Sequence, residues 1–260
     1  CAECTKCYEQ EQNGFFSMRN DANRNYGHLI EEVDQTNEDG EHPEFKLRYW
    51  DIRFSNLCNF KCRSCGPIFS SNWFNDHVKL YGRVPDVLKR DMARVEYTTG
   101  DEDGMLNQME EHIPYLEQVY FAGGEPLIMK EHYYLLERLI ELGKTDVRLV
   151  YNTNFSEMRY KKKHVFNYWK QFKTVNVGAS LDGMGPQAEL IRKGADWKQT
   201  EENRVRMMAE VPHVDFYVSA TVTSQNVLHV LDFHKDWVEK GFIQPQDFNV
   251  NICQSPEWYR

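Results

Sequence analysis

Three cysteines, Cys58, Cys62 and Cys65, follow one another at sequence spacings of four and three. Thiolates this close together can bind one face of an iron–sulfur cube. A four-iron cluster has four corners, so three cysteines leave one iron without a protein ligand. That iron can bind a small molecule, and the loop therefore predicts a metal centre that takes part in chemistry.

A zinc ion is the alternative occupant of such a loop. Closed structural zinc sites take four nitrogen or sulfur ligands. The histidine nearest to the loop is His77, so no fourth ligand lies close in sequence. The ligand count favours the iron–sulfur cluster, and zinc remains the less favoured reading.

Small and polar residues follow other apolar runs further along the chain. Gly123 and Gly124 are paired, and glycines allow a backbone to approach a ligand closely. Ser180 and Asp182 lie two residues apart, so in a strand their side chains would point the same way. A hydroxyl and a carboxylate aimed together can bond the two hydroxyls of a ribose.

Secondary-structure elements must position these residues. The hydrophobic pattern predicts that strands and helices alternate along the chain. The predicted strands are Leu47–Phe54, Gln118–Ala122, Val147–Asn152, Thr174–Leu181, Val214–Val222 and Phe248–Ile252. The predicted helices are Lys130–Leu142, Lys163–Phe172, Pro186–Ala209 and Asn226–Lys240, with a longer helical insertion over Ser70–Pro114 that turns at Thr98–Gly104.

This alternation indicates an α/β fold with parallel strands. Six strands with helical segments between them describe a doubly wound sheet or a partial (βα)6 barrel similar to a TIM barrel. In both folds ligands bind at the carboxyl ends of the strands. The cysteine loop and the polar residues described above all follow strands, so they are expected at that end.

The loop reads C-x-x-x-C-x-x-C after the first strand, and Gly123-Gly124-Glu125-Pro126 follows the second. This ordered pair resembles the radical S-adenosylmethionine superfamily. The resemblance implies a partial (βα)6 barrel and a [4Fe-4S] cluster whose open iron binds S-adenosylmethionine. In that family an electron from the cluster cleaves S-adenosylmethionine to methionine and a 5′-deoxyadenosyl radical, which abstracts hydrogen from a substrate. An electron donor such as flavodoxin or ferredoxin is implied as a partner.

The resemblance also implies which residues hold the cofactor. The family commonly has an aromatic residue before the last cysteine, where this chain has Ser64, and Phe60 is the candidate substitute beside adenine. The remaining assignments are Gly123, Gly124 and Glu125 for the amino group, Asn154 beside the cofactor, Ser180 and Asp182 for the ribose, and Arg192 for the carboxylate.

The N-terminal residues 1–44 are expected to form an extension to a barrel domain over residues 45–260. Cys1, Cys4 and Cys7 open the chain, and Glu31–Glu44 is an acidic stretch read as a solvated connector. The extension resembles what precedes the barrel in relatives with a twitch or SPASM-like cysteine domain. Cys4 and Cys7 are therefore candidate ligands of a second, auxiliary iron–sulfur cluster, with a zinc knuckle or unligated thiols as alternatives. The sequence is expected to be a piece of a longer protein.

Composition excludes several classes of function. Lys and Arg number 31 against 40 Asp and Glu, and a net charge of −9 argues against general nucleic-acid binding. No apolar run is long enough for a membrane helix and no signal peptide is evident, so a soluble, cytoplasmic protein is expected. Seven cysteines, an odd number in tight clusters, fit metal binding better than a disulfide framework. Cys253 stands apart from both clusters and is expected to be a small buried residue.

The leading hypothesis is a radical S-adenosylmethionine enzyme acting on a substrate that could be a peptide or protein. The sequence does not identify a catalytic residue. A non-catalytic zinc or iron–sulfur module that acts through a protein partner is the alternative. A nicotinamide-binding reading of Gly183-Met184-Gly185-Pro186-Gln187-Ala188 is set aside, because this glycine pattern follows the fourth predicted strand and not the first.

Overall fold

The computed structural model of the chain describes residues 4–83 and 104–253. The chain divides into two compact units, Cys1–Lys46 and Leu47–Arg260. None of the described helices combines the length and the apolar character that crossing a lipid bilayer requires.

The N-terminal unit contains three short helices: α1 (Thr5–Gln12), α2 (Met18–Tyr26) and α3 (Ile30–Val33). Ser17 starts α2 with a capping box, because its hydroxyl accepts a hydrogen bond from the Asn20 backbone N–H and the Asn20 side chain accepts one from the Ser17 N–H. α3 lies at the start of the acidic stretch, which the sequence predicts to be a solvated connector.

The second unit is built on a six-stranded sheet. Its strands are β1 (Tyr49–Ile52), β3 (Gln118–Phe121), β4 (Arg148–Thr153), β7 (Val175–Ala179), β9 (Asp215–Val222) and β10 (Phe248–Ile252). They pair in that order, and every neighbouring pair is parallel. The predicted parallel α/β architecture is confirmed.

Helices connect each strand to the next. They are α4 (Phe74–Tyr81), α5 (Met105–Glu110), α6 (Lys130–Glu141), α7 (Val165–Trp169), α8 (Gly185–Ile191), α9 (Trp197–Glu210) and α10 (Val230–Glu239). The predicted helical insertion is represented by α4, α5 and short 3-10 turns, and its predicted turn lies, apart from Gly104, outside the described residues.

The single helix predicted over Pro186–Ala209 is wrong. The structure has two helices there, α8 and α9, separated by a short strand, β8 (Arg192–Lys193). β8 pairs antiparallel with β2 (Lys61–Cys62), which lies in the cysteine loop. A second small ribbon joins β5 (Arg159–Tyr160) to β6 (Lys163–His164).

The two faces of the sheet differ in chemistry. Alternate residues such as Val119, Phe121 and Leu149 are fully buried beneath the helices, where they form the core. Tyr120 and Asn152, on the opposite face, are half-buried and polar. The second face therefore presents hydrogen-bonding groups toward the carboxyl ends of the strands.

Candidate active site

The cysteine loop forms one wall of a cavity of about 320 Å³ at the carboxyl ends of the strands. Cys58, Cys62 and Cys65 all line this cavity. The loop follows β1, so the strand brings the three thiols to the edge where the following strands of the sheet also end.

Hydrogen bonds to backbone carbonyls fix the shape of the loop. Ser70 Oγ donates to the Phe60 carbonyl at 2.6 Å, and Trp73 Nε1 donates to the Cys62 carbonyl at 3.1 Å. The side chain of Asn154, at the end of β4, donates to Asn59 Oδ1 at 2.8 Å. The loop is therefore held both by the segment that follows it and by the sheet.

Cys62 is buried, and Cys58 and Cys65 are half-buried. Burial raises the pKa of Cys58 to about 12 and that of Cys65 to about 11, and it also raises the pKa of Cys62. Without a metal these groups are neutral thiols. A bound metal ion would reverse this preference, because a coordinating thiol loses its proton.

Three thiols around one cavity fit an iron–sulfur cluster. In such a cluster each cysteine binds a different iron, so the sulfur atoms surround the metal centre and need not converge on one point. Across residues 4–83 and 104–253, no group of three or more His, Cys, Asp or Glu side chains is arranged to hold a single metal ion.

Two glycines after β3 are required by the backbone conformation and by the close packing of neighbouring residues. Gly123 and Gly124 have φ angles of +73° and +49°, which disfavour residues with a side chain. A Cβ on Gly124 would lie 2.3 Å from the Leu57 carbonyl oxygen, and one on Gly123 would lie 2.7 Å from Arg53 Cγ. The glycines thus allow the residues after β1 to pack directly against this turn.

Glu125 lies behind the turn and is fully buried. Its carboxylate accepts hydrogen bonds from the Leu127 N–H at 3.1 Å, the Thr153 hydroxyl at 2.7 Å and the Asn154 N–H at 2.6 Å. Burial raises the pKa of Glu125 to about 7, although these hydrogen bonds oppose the shift. Glu125 therefore ties the end of β3 to the end of β4.

Ser180 and Asp182 do not point the same way. Ser180 lines the cavity, whereas Asp182 is 1% exposed and is not among the lining residues. Asp182 Oδ1 accepts hydrogen bonds from Arg192 Nη2 at 2.9 Å and from the Thr221 N–H at 2.8 Å. The carboxylate is thus engaged inside the protein.

Most of the residues assigned from sequence do meet at the cavity. Those that line it are Cys58, Phe60, Cys62, Cys65, Gly123, Gly124, Asn154, Ser180 and Arg192. Glu125 and Asp182 lie behind this lining. Arg53 and Tyr120 also line the cavity and were not predicted from the sequence. Arg53 directly follows β1, and Tyr120 is the next-to-last residue of β3, so their positions near the carboxyl ends of strands could have indicated them as site residues.

The remaining cysteines lie elsewhere in the chain. Cys4 is exposed and precedes α1, and Cys7 is half-buried on the first turn of that helix, whereas Cys1 lies outside the described residues. Cys253 follows β10 and is 3% exposed, so its predicted burial is confirmed.

Comparisons with known proteins agree with this geometry. The sequence model of the Radical SAM superfamily matches residues 52–233. No curated protein sequence is significantly similar to the chain.

Solved structures of anSMEcpe share the fold. Hexahistidine-tagged anSMEcpe with bound AdoMet is 21% identical with a TM-score of 0.57, and the match covers 82% of this chain and 52% of that one. Native anSMEcpe with bound AdoMet and Cp18Cys peptide is 20% identical, with a TM-score of 0.54 and coverage of 82% and 52%. Streptococcus suis SuiB bound to S-adenosylmethionine is 15% identical, with a TM-score of 0.48 and coverage of 96% and 45%. The chain spans about half the length of these proteins.

Proposed function

Because this chain belongs to the radical SAM superfamily, we propose that it is an enzyme that uses a [4Fe-4S] cluster to cleave S-adenosylmethionine. The observation that carries the proposal is the convergence of Cys58, Cys62 and Cys65 on one cavity at the strand ends. When bound, the cluster supplies the electron that converts S-adenosylmethionine to methionine and a 5′-deoxyadenosyl radical, which abstracts hydrogen from the substrate.

Five of the residues that line the cavity are the proposed contacts of S-adenosylmethionine: Gly123, Gly124, Ser180, Phe60 and Asn154. The exposed backbone at Gly123 and Gly124 would receive the amino group, and Ser180 would bond the ribose. Phe60 belongs to the lining, with its side chain 2% exposed, and is the proposed neighbour of adenine. Asn154 lies beside Cys58, with its amide nitrogen 3.9 Å from the sulfur, and would border both ligands.

Glu125 and Asp182 have a different role in this proposal. Both carboxylate oxygens of Glu125 accept hydrogen bonds from the protein, and the Asp182 carboxylate is paired with Arg192, so they would hold the cavity wall in place and would not contact the cofactor. This revises the roles that the family resemblance implied for these two residues.

The proposal extends to a peptide or protein substrate and to the twitch or SPASM-like subgroup. One structure with the same fold holds a peptide together with AdoMet, and that observation belongs to the other protein. Cys4 directly precedes α1 and Cys7 lies on its first turn, and these two cysteines are the proposed ligands of an auxiliary cluster. Flavodoxin or ferredoxin is the proposed electron donor, and a cytoplasmic setting is proposed because free thiols persist in a reducing compartment.

Anaerobic reconstitution with iron and sulfide tests the central claim. The protein should gain about four irons that depend on the loop, with broad absorption near roughly 400 nm. Replacing Cys58, Cys62 and Cys65 with Ala should remove this cluster, whereas Cys253→Ala, at a buried cysteine outside the cavity, should not. The loaded protein with a reductant should release 5′-deoxyadenosine from S-adenosylmethionine. Iron and sulfide content unaffected by the triple replacement would refute the proposal, and zinc in place of iron would favour the non-catalytic module.

A further inference from the structure

Arg192 reaches the cysteine loop from a distant part of the chain. It lies in β8 directly opposite Cys62 of β2, and its Nη1 atom donates a hydrogen bond to Cys62 Sγ at 3.5 Å. Its side chain is only 12% exposed. A cationic donor is therefore placed against one of the three cluster cysteines.

The other cysteines have no comparable neighbour among their hydrogen-bond donors. Cys58 Sγ accepts from the backbone N–H of Phe60 at 3.4 Å and faces the neutral amide of Asn154 at 3.9 Å. Cys65 donates weakly to the Gly66 carbonyl. Among the described residues, a guanidinium hydrogen bond is thus made to Cys62 alone of the three.

Asp182 fixes the orientation of this guanidinium. It accepts a hydrogen bond from Arg192 Nη2 at 2.9 Å, and its second oxygen lies 2.8 Å from Nε in an ion pair that is poorly aligned for a hydrogen bond. Asp182 is itself held by the Thr221 N–H through its carboxylate and by Asn226 Nδ2 through its backbone carbonyl. Because Nη2 is hydrogen-bonded to Asp182 and Nε faces the same carboxylate in the ion pair, the guanidinium is oriented with Nη1 beside the sulfur.

We propose that the Arg192–Asp182 pair sets the reduction potential of the cluster through Cys62. Hydrogen bonds to the sulfur ligands and the net charge near a cluster determine its potential. The Arg192 donor and charge favour the reduced, more negative cluster, and the Asp182 charge opposes them. Arg192 is in this view a positioning and tuning residue, and the inference rests on the proposed function because it requires the cluster to be present.

Substitutions that remove the charge of Arg192 or of Asp182 should shift the midpoint potential of the cluster in opposite directions. Arg192→Gln removes the positive charge and should shift the midpoint potential of the reconstituted cluster to a more negative value. Asp182→Asn keeps an oxygen for the Thr221 N–H but removes the negative charge, so it should shift the potential to a more positive value. Arg192→Lys retains the charge and should recover part of the shift seen with Gln.

Arg63→Gln is the matched control. Arg63 follows Cys62 directly, but its Nε donates to the Leu190 carbonyl at the protein surface. The same loss of charge there should change the potential much less. The potential is measured by a reductive titration followed by electron paramagnetic resonance, without S-adenosylmethionine, so that the readout is independent of turnover.

The possible outcomes distinguish failure of this inference from failure of the proposed function. Opposite shifts in Arg192→Gln and Asp182→Asn support the inference, and a loosened site would instead move both potentials in one direction. Shifts of equal sign, or shifts no larger than that of Arg63→Gln, overturn it. Should Arg192→Gln fail to retain iron, the Asp182→Asn shift decides alone, because a potential that stays unchanged or becomes more negative contradicts the inference. Absence of any cluster in the unaltered protein would refute the proposed function first.

Discussion

The buried carboxyl of Glu125 predicts an unusual dependence of stability on pH. Its pKa is raised from 4.5 to about 7 by burial. Between these values the folded protein keeps a proton that the unfolded chain has lost, so the free energy of unfolding falls as the pH rises. The full effect at neutral pH is on the order of 3 kcal/mol.

Glu125→Gln cannot titrate and should flatten this part of the profile. Urea unfolding of the metal-free protein between about pH 4.5 and pH 7 measures the difference. Gln has an NH2 group in place of one carboxylate oxygen, and this group cannot accept the hydrogen bond from the Asn154 N–H, so the variant is expected to be less stable at the acidic end. Parallel profiles for the two proteins would show that Glu125 keeps an ordinary pKa.

The two glycines after β3 predict a large cost for a single methyl group. Gly124→Ala combines a positive φ with a contact of 2.3 Å to the Leu57 carbonyl, and we expect a loss of about 3 kcal/mol in the free energy of unfolding. Gly143 has a φ of +69°, but a Cβ there would have no atom within 4 Å, so Gly143→Ala should lose only about 1 kcal/mol. Denaturant unfolding of both variants measures the difference. Equal losses would mean that the backbone angle alone matters.

Ser180 and Asp182 show how far the placement of single side chains could be predicted from the sequence. Their shared direction assumed that β7 continues to residue 181, but the strand ends at Ala179. Beyond that point the alternation of a strand no longer applies. The approach of Asp182 to Arg192 and Thr221 is a tertiary contact, and no local pattern encodes it.

At the level of secondary structure, we expect a side chain at Gly194, in the junction between α8 and α9, to disturb the packing of β8. Gly194 has a φ of +110°, and a Cβ there would lie 3.0 Å from the Asn59 carbonyl and 3.1 Å from Phe60 Cδ1. Gly194→Ala should therefore push β8 away from the cysteine loop and lower the free energy of unfolding by about 1–2 kcal/mol. The reconstituted variant should also retain less iron.

Gly183→Ala provides the comparison on the other side of α8. The nearest atom to its Cβ would be 3.6 Å away, which is ordinary contact. Iron retention and unfolding should stay close to those of the unaltered protein. A Gly194 variant with the same behaviour would show that the ribbon tolerates displacement.

The six strands of the sheet lie within the predicted runs or close to their bounds because each contains a short apolar run, which alternates with polar residues in strands such as β4. β10 matches its predicted bounds, and α6 begins at the predicted Lys130. The break at Arg192 was missed because β8 exists only through its pairing with Cys62, far away in sequence. The N-terminal helices were missed because α1 and α2 bury no residue fully and so carry little hydrophobic periodicity.

At the scale of the whole chain, the two compact units predict independent metal sites. Replacing Cys4 and Cys7 with Ser should leave the cluster of the cysteine loop intact, because these residues belong to different units. Any iron that the N-terminal unit binds should be missing from the total iron content of this variant. Iron and sulfide analysis, together with the resonance spectrum of the reduced cluster, checks this. Loss of the spectrum of the cysteine loop would show that the N-terminal thiols supply that cluster.

The β2–β8 ribbon also sets the order in which the protein can mature. Arg192 and Cys62 are separated by 130 residues, so a growing polypeptide exposes its three cysteines well before their partner has been synthesised. At about 5–20 residues per second, the delay is roughly ten seconds on the ribosome. During that interval the thiols stand in an unfinished pocket, accessible to oxidants and to competing metals. The cavity around the three cysteines, which Ser180 and Arg192 also line, is therefore complete only after translation of the fourth strand–helix unit.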